Sequence, residues 1–140
     1  TASLAASCKT IDILIRDQGL NTIKEYSERL CKGIKDLIEN HKMGDYMSVL
    51  GFPQRSVLSF KDKDDLSLEV QKTFFMQECI KQNLLYFCSH VPCVAHSEAD
   101  LSFSLKVLAQ VIAKFSEVVK QGNLLDHLEA EVIEPVFRRA

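Results

Sequence analysis

The chain has 140 residues, of which 46% are hydrophobic and 26% charged, and its formal net charge is −2. These values are close to those of ordinary globular proteins and far from those of disordered chains, so we expect a single folded domain over residues 1–140. The 17 Lys and Arg residues are spread along the sequence and form no basic stripe for nucleic acid. No apolar run approaches the roughly 18 residues that a membrane span needs. We therefore expect neither nucleic acid nor a membrane as a partner.

The chain begins with a pattern that predicts a helix over about residues 2–17. Apolar residues recur there at spacings of four, three and four, which places them on one helical face: Leu4, Cys8, Ile11 and Ile15. Gly19 is predicted to end this helix, because glycine readily adopts the left-handed backbone that follows many helices. Since Thr1 already falls inside the helical pattern, we expect these residues to be the C-terminal part of a longer chain.

A second helix is predicted to begin at Asn21 or Thr22 and to end between residues 41 and 44. Either residue can cap a helix with its side chain, and Glu25 stands where a capping box from Thr22 would place an acid. A third helix is predicted over about residues 65–82, with Asn83 as its left-handed stop.

The longest predicted helix begins at Ser97, where Asp100 completes a capping box, and ends at Gly122. Its apolar residues alternate at spacings of four and three for more than five turns: Leu101, Leu105, Leu108, Ile112, Phe115 and Val119. A last short helix is predicted over residues 124–133.

Three short β-prone runs predict a small sheet. Residues 46–52 and 56–60 are separated by Pro53, Gln54 and Arg55, which is typical of two neighbouring strands with a tight connection. Residues 84–87 predict a third strand. Because helices and strands do not alternate as in a parallel sheet, the predicted fold class is α+β, with a three-stranded sheet and helices packed on one face.

The number and the positions of the cysteines are typical of a protein in a reducing compartment. Their number is odd, they lie mostly among apolar neighbours, and they occupy positions 8, 31, 79, 88 and 93. Free thiols of this kind act as small hydrophobic side chains, so we expect a cytoplasmic protein.

One cluster has the composition of a metal site, with Cys88, His90, Cys93 and His96 lying within nine residues. A structural zinc site usually takes two such pairs separated by about a dozen residues or more, and this sequence has no second half. We therefore predict no metal and interpret the cluster as a strand followed by a loop. No self-contained catalytic motif is found either, so no catalytic or cofactor-binding residue is predicted.

Three segments, taken in order, resemble a known family. They are TASLAAS at the start, GFPQRSVLSF from Gly51, and the stretch from Asn83 to Leu108 with HSEADLSFSLKVL. Together they are similar to the C-terminal small domain of class III pyridoxal-phosphate (PLP) aminotransferases, closest to glutamate-semialdehyde aminomutase and the sugar aminotransferases. The resemblance implies the C-terminal domain of a fold-type I PLP enzyme, which is inactive alone.

The resemblance also implies a cofactor and partners for the parent protein. PLP would be held by the large domain upstream in the parent protein, and none would be bound by these residues alone. The upstream domain and a second subunit, in a homodimer, would be the partners. The loop over residues 88–96 has no Arg, which favours the aminomutase or sugar branch over ornithine- or aminobutyrate-type enzymes.

Residues 53–55 and 89–95 are the segments expected to face the cofactor cleft of such a parent, with Arg55, Ser89 and His90 as candidate cleft-facing residues. Arg55 is the cation in these segments and could meet a carboxylate or phosphate of the substrate, although a loop salt bridge is an alternative. A different class of function also stays open, namely a free-standing α+β module that binds a protein partner without catalysis.

Overall fold

The computed structural model describes residues 1–63 and 66–134. Within these ranges the chain forms four α-helices, three strands and one short 3-10 helix, which confirms the α+β class. In chain order they are α1 (Ala2–Arg16), α2 (Gly19–Asn40), β1 (Met47–Phe52), β2 (Arg55–Phe60), α3 (Leu68–Lys81), β3 (Ser89–His90), α4 (Glu98–Gln121) and the 3-10 helix Leu124–His127. None of the described helices is both long enough and apolar enough to span a membrane.

The sheet has the order β1-β2-β3, with both pairs antiparallel. The pairing of β1 with β2 confirms the predicted hairpin, which turns between Phe52 and Arg55. The third strand lies elsewhere than predicted, at Ser89–His90 and not at residues 84–87. Cys88 has a left-handed backbone (φ 58°), and its carbonyl accepts a hydrogen bond from the Leu58 amide, so the chain meets β2 only after this bend.

The hydrophobic core lies between one face of the sheet and helices α2, α3 and α4. Alternation along β2 turns Leu58 and Phe60 inward, onto a cluster of aromatic rings. Phe60 lies 5.5 Å from Phe75 and 6.3 Å from Phe115 between ring centroids, and Phe115 is fully buried. Aromatic contacts at these distances supply much of the apolar area that the domain buries.

The ends of α4 and the stop of α3 confirm their predictions. The Ser97 hydroxyl accepts a hydrogen bond from the Asp100 amide, and the Asp100 carboxylate accepts one from the Ser97 amide, so the capping box is complete. Gly122 closes α4 with a φ of 72°, and Asn83 follows α3 with a φ of 62°. The start predicted for α3 at residue 65 lies outside the described residues.

The junction of α1 and α2 differs from its prediction. Gln18, with a φ of 52°, carries the left-handed turn, and α2 begins at Gly19 without a cap from Asn21 or Thr22. The amides of Asn21 and Thr22 donate to the Gln18 carbonyl, so both residues already lie inside the helix. Gly19 allows a close approach of the two helices, since a Cβ there would lie 2.8 Å from the Leu14 Cδ2 and would displace that side chain.

Two further predictions need correction. The last helix is a single 3-10 turn over Leu124–His127 and does not reach residue 133. After this turn, backbone amides form hydrogen bonds with side chains of α3 instead of continuing a helix. The Gln77 side chain accepts a hydrogen bond from the Glu129 amide, and the Thr73 hydroxyl accepts one from the Ile133 amide. These bonds hold residues 129–133 extended along α3.

The aromatic core gives a direct test of stability. Phe115→Ala should lower the free energy of unfolding by about 3–5 kcal/mol, because it removes a fully buried ring from the contact between α4 and β2. Phe103→Ala on the same helix is the matched control, since Phe103 is exposed and its loss should change stability by less than about 0.5 kcal/mol. Urea denaturation followed by circular dichroism measures both. Equal losses would contradict the assigned core.

Candidate functional site

The three candidate cleft-facing residues lie at one end of the sheet. Ser56 of β2 pairs with His90 of β3. Arg55 is the neighbour of Ser56 in sequence, and Ser89 is the neighbour of His90. The three candidates do not share a face. Arg55 and Ser89 are exposed on the outer side of the sheet, whereas His90 is buried on the inner side. That any of them faces a substrate stays a prediction.

Four buried side chains, including His90, form a connected hydrogen-bond network. The His90 Nδ1 shares a hydrogen bond of 2.9 Å with the Ser56 hydroxyl, and its Nε2 shares one with the Tyr86 hydroxyl. The Ser56 hydroxyl also lies 3.1 Å from the Cys31 sulfur. The four residues come from α2, β2, β3 and the segment before β3, so this polar chain joins the sheet to α2.

Sequence reasoning missed Ser56 and Tyr86 as partners of His90, and Cys31 as a partner of Ser56. One signal was available, because alternation in β2 places Ser56 on the inward face beside Leu58. A buried hydroxyl needs a hydrogen-bond partner, and that need points to a polar residue on the neighbouring strand.

Burial determines the charge state of the side chains in this hydrogen-bond network. It lowers the pKa of His90 below its usual 6.5, an effect that a hydrogen bond to the Ser56 backbone partly opposes, and it raises the pKa of Tyr86 well above its usual value. The imidazole is therefore neutral, with one nitrogen donating and the other accepting. Ser56 is fully buried, so its hydroxyl has no access to a substrate. The chain of bonds fixes the position of β3 and offers no nucleophile.

A cleft of about 140 Å³ lies beside His90, between α2, α4 and the segment that flanks β3. Tyr26 and Leu30 of α2 form one wall, and Ser104 of α4 lies in another. His96 completes the rim, with its ring 5.4 Å from the Tyr26 ring. The lining contains no Lys, Arg, Asp or Glu, so the cleft offers hydroxyl and imidazole groups but no fixed charge.

The four residues of the suspected metal cluster are dispersed. Cys88 is buried, and burial raises its pKa to about 12, which opposes the thiolate that a metal requires. His90 has both nitrogens engaged with protein groups. Cys93 and His96 are exposed and contact each other. Within residues 1–63 and 66–134, no three His, Cys, Asp or Glu side chains come close enough to hold a metal ion.

The outer face of the sheet and the stripe of α1 are among the apolar surfaces that the described residues leave uncovered. The outer face of the sheet, defined by Leu50, Phe52 and Val57, is exposed, with Phe52 at 81%. The apolar stripe of α1 is exposed as well, with Leu4 at 70% and Ile15 at 69%, and no residue of α1 is buried. The helix itself was predicted, but within the described chain its stripe packs against no core.

Comparison with known proteins gives a match of fold. No protein-family model and no curated protein matches the chain. Among solved structures, the chain is similar to the FumI protein of Sphingopyxis sp. MTA144, determined as the PLP internal aldimine form, with a TM-score of 0.65 and 21% sequence identity. The match covers 84% of this chain and 27% of that chain. The chain thus spans about a quarter of that structure and shares its fold there.

The buried imidazole predicts how stability changes with pH. In the unfolded chain His90 takes up a proton near pH 6.5, whereas in the folded chain it does so only at lower pH. The folded state then binds fewer protons, so stability is retained above pH 6.5 and falls as the pH drops toward the folded-state pKa. The slope reaches at most about 1.4 kcal/mol per pH unit.

His90→Gln should flatten this dependence between about pH 7 and pH 5, measured by urea denaturation at each pH. Tyr86→Phe is the matched control. It removes one hydrogen bond from the same imidazole and lowers stability at every pH, but it leaves His90 buried and so keeps the slope. A slope that is unchanged in His90→Gln would contradict the assignment of the pH dependence to this group.

Proposed function

We propose that the chain is the C-terminal small domain of a PLP-dependent class III aminotransferase or aminomutase, of the glutamate-semialdehyde aminomutase-like or sugar aminotransferase-like type. The parent enzyme would transfer an amino group on an amino acid, a semialdehyde or a sugar precursor, and this domain would be inactive alone. The observation that carries the proposal is the shared fold with one quarter of the FumI chain, a protein determined with PLP in its internal aldimine form.

The residues of this chain do not fit PLP by themselves. PLP enzymes use a lysine for the Schiff base and an acid on the pyridinium nitrogen, and the cleft beside His90 has neither in its lining. We therefore assign the cofactor to an upstream large domain of a longer chain. The proposed role of this domain is to cover one side of the cofactor cleft and to exclude water from it.

The candidate cleft-facing residues would act from the end of the sheet. Arg55 is exposed, and the described ion pairs do not include it, so its guanidinium is accessible to an anionic group of a substrate. Ser89 is exposed on the same outer face and would add a hydroxyl. His90 would act indirectly, because its bonds to Ser56 and Tyr86 hold β3 in place.

The exposed apolar surfaces support a partner for this domain. The outer face of the sheet and the stripe of α1 are the surfaces that we assign to the upstream large domain and to the second subunit of a homodimer. All five cysteines are free thiols, which supports a cytoplasmic location for the parent enzyme. The same surfaces also favour a second candidate function, a free-standing module that binds a protein partner.

The first test uses the full-length parent protein. Its visible absorption spectrum is recorded with added PLP, before and after an amino donor. We expect a Schiff-base band that bleaches when the donor is added, because the parent enzyme would transfer the amino group of the donor. A full-length protein without such a band would overturn the enzyme proposal and leave the interaction module.

The second test uses the 140-residue chain. We expect it to self-associate at high micromolar concentration in sedimentation velocity experiments, because its apolar surfaces lack their partner. The double variant Leu50→Lys/Phe52→Lys should shift it toward the monomer, since two charges on the outer face of the sheet oppose burial. Leu125→Lys, at an exposed apolar residue of the 3-10 helix, is the control and should have no effect. A monomeric wild-type chain would favour the free-standing module.

A further inference from the structure

Cys93 and His96 form an exposed thiol–imidazole pair in the loop between β3 and α4. The Cys93 sulfur lies 3.3 Å from the His96 Nδ1. The Cys93 amide donates a hydrogen bond of 3.0 Å to the same nitrogen. Because an amide can only donate, Nδ1 is an acceptor and carries no proton. Its lone pair therefore faces a thiol that has a proton to give.

The loop holds this pair in place from several sides. The His96 amide donates to the Cys93 carbonyl at 3.2 Å, which closes the turn between the two residues. The His96 ring packs on Tyr26, and Ser97 begins the cap of α4 immediately afterwards. The Cys93 carbonyl also lies 3.4 Å from the His96 Nδ1. Once that nitrogen is protonated, it can donate to this carbonyl, and it no longer accepts the hydrogen bond from the Cys93 amide.

The other cysteines lack one or both features of this pair. Cys31, Cys79 and Cys88 are buried, and burial raises the pKa of Cys79 and of Cys88 to about 12. Cys8 is exposed on α1, but no histidine contact to it is found among the described residues. Cys93 thus combines exposure with a base at hydrogen-bond distance, and Cys8 is an exposed thiol without one.

The charges around the pair explain why a proton acceptor matters here. Glu98 and Asp100 lie in the first turn of α4, and Arg29 of α2 is paired with Glu98. These acids oppose negative charge on the sulfur, although the N-terminal end of α4 favours it. Proton transfer to His96 leaves the thiolate–imidazolium pair with no net charge, so the acids oppose it less than they would oppose an isolated thiolate.

We propose that Cys93 and His96 form a modification site that takes a low-molecular-weight disulfide. The Cys93 thiol gives its proton to the His96 Nδ1, and the sulfur attacks one sulfur of the disulfide. The new S–S bond forms as the old one breaks, and the departing thiolate takes the proton from His96. One thiol and one disulfide thus give one mixed disulfide and one thiol, and no other reactant is consumed.

A neutral probe tests the site without bias from the nearby acids. The chain is mixed with excess bis(2-hydroxyethyl) disulfide, and the mixed disulfide at each cysteine is followed over time by peptide mass spectrometry. The rates are divided by those of the same cysteines in the urea-denatured chain. We expect Cys93 to react about tenfold faster than Cys8. This is less than the roughly 10²–10⁴-fold that a positioned general base supplies in an enzyme, because the pair is exposed to water.

The variant His96→Gln separates the base from simple exposure. It should bring the rate at Cys93 down to that at Cys8, while the rate at Cys8 stays unchanged as an internal control. Circular dichroism verifies that the variant is folded. Equal rates at Cys93 and Cys8 in the wild-type chain would overturn the proposal without any variant. A fast Cys93 that is insensitive to His96→Gln would overturn the role of the imidazole.

Discussion

The structure depends on the burial of one face of β2, the central strand of the sheet. Alternation along β2 turns Ser56, Leu58 and Phe60 toward the helices, and the opposite residues point away from them. The inward apolar residues meet α3 and α4 through contacts among aromatic rings. Since a strand has only two faces, the same alternation that fills the core leaves the outer face of the sheet uncovered in this chain.

The polar chain around His90 is a consequence of that geometry. Ser56 is turned into the core by the register of β2, and a hydroxyl without a partner there would cost about 1–3 kcal/mol. Cys31 from α2 and His90 from β3 supply the partners, and Tyr86 satisfies the second nitrogen of His90. These bonds anchor the segment that continues into the loop of Cys93 and His96. The buried network and the exposed pair are thus neighbours in one structural unit, with opposite access to water.

The exposed surfaces and the sealed core suit a domain that works as a part of something larger. The core buries whole phenylalanine rings, so the chain has what it needs to fold. The outer face of the sheet and α1 display apolar residues that an isolated domain gains nothing by exposing. That contrast supports the proposed partners of this domain, whereas the cleft lining, which has no lysine and no acid, is why we place the proposed chemistry upstream.

Local signals in the sequence were enough to predict the helix ends that capping and left-handed residues define. The capping box at Ser97, the glycine at position 122 and the left-handed Asn83 each act through neighbouring backbone groups, and each lies where it was predicted. The predicted pairing of the first two strands rests on a similarly local feature, the short connection that begins at Pro53. The α+β class follows from the order of such elements.

Only the tertiary structure decided the rest, because it depends on contacts between distant residues. The third strand moved from residues 84–87 to Ser89–His90, since pairing with β2 and the bend at Cys88 outweigh local β propensity. The close approach of Leu14 to Gly19, and the two partners of His90 from β2 and from the segment before β3, are contacts of this kind. The sequence by itself determined both ends of α4, the stop of α3 at Asn83, the hairpin and the class of the fold. Packing decided which polar residues meet in the core and which thiol lies beside a base at the surface.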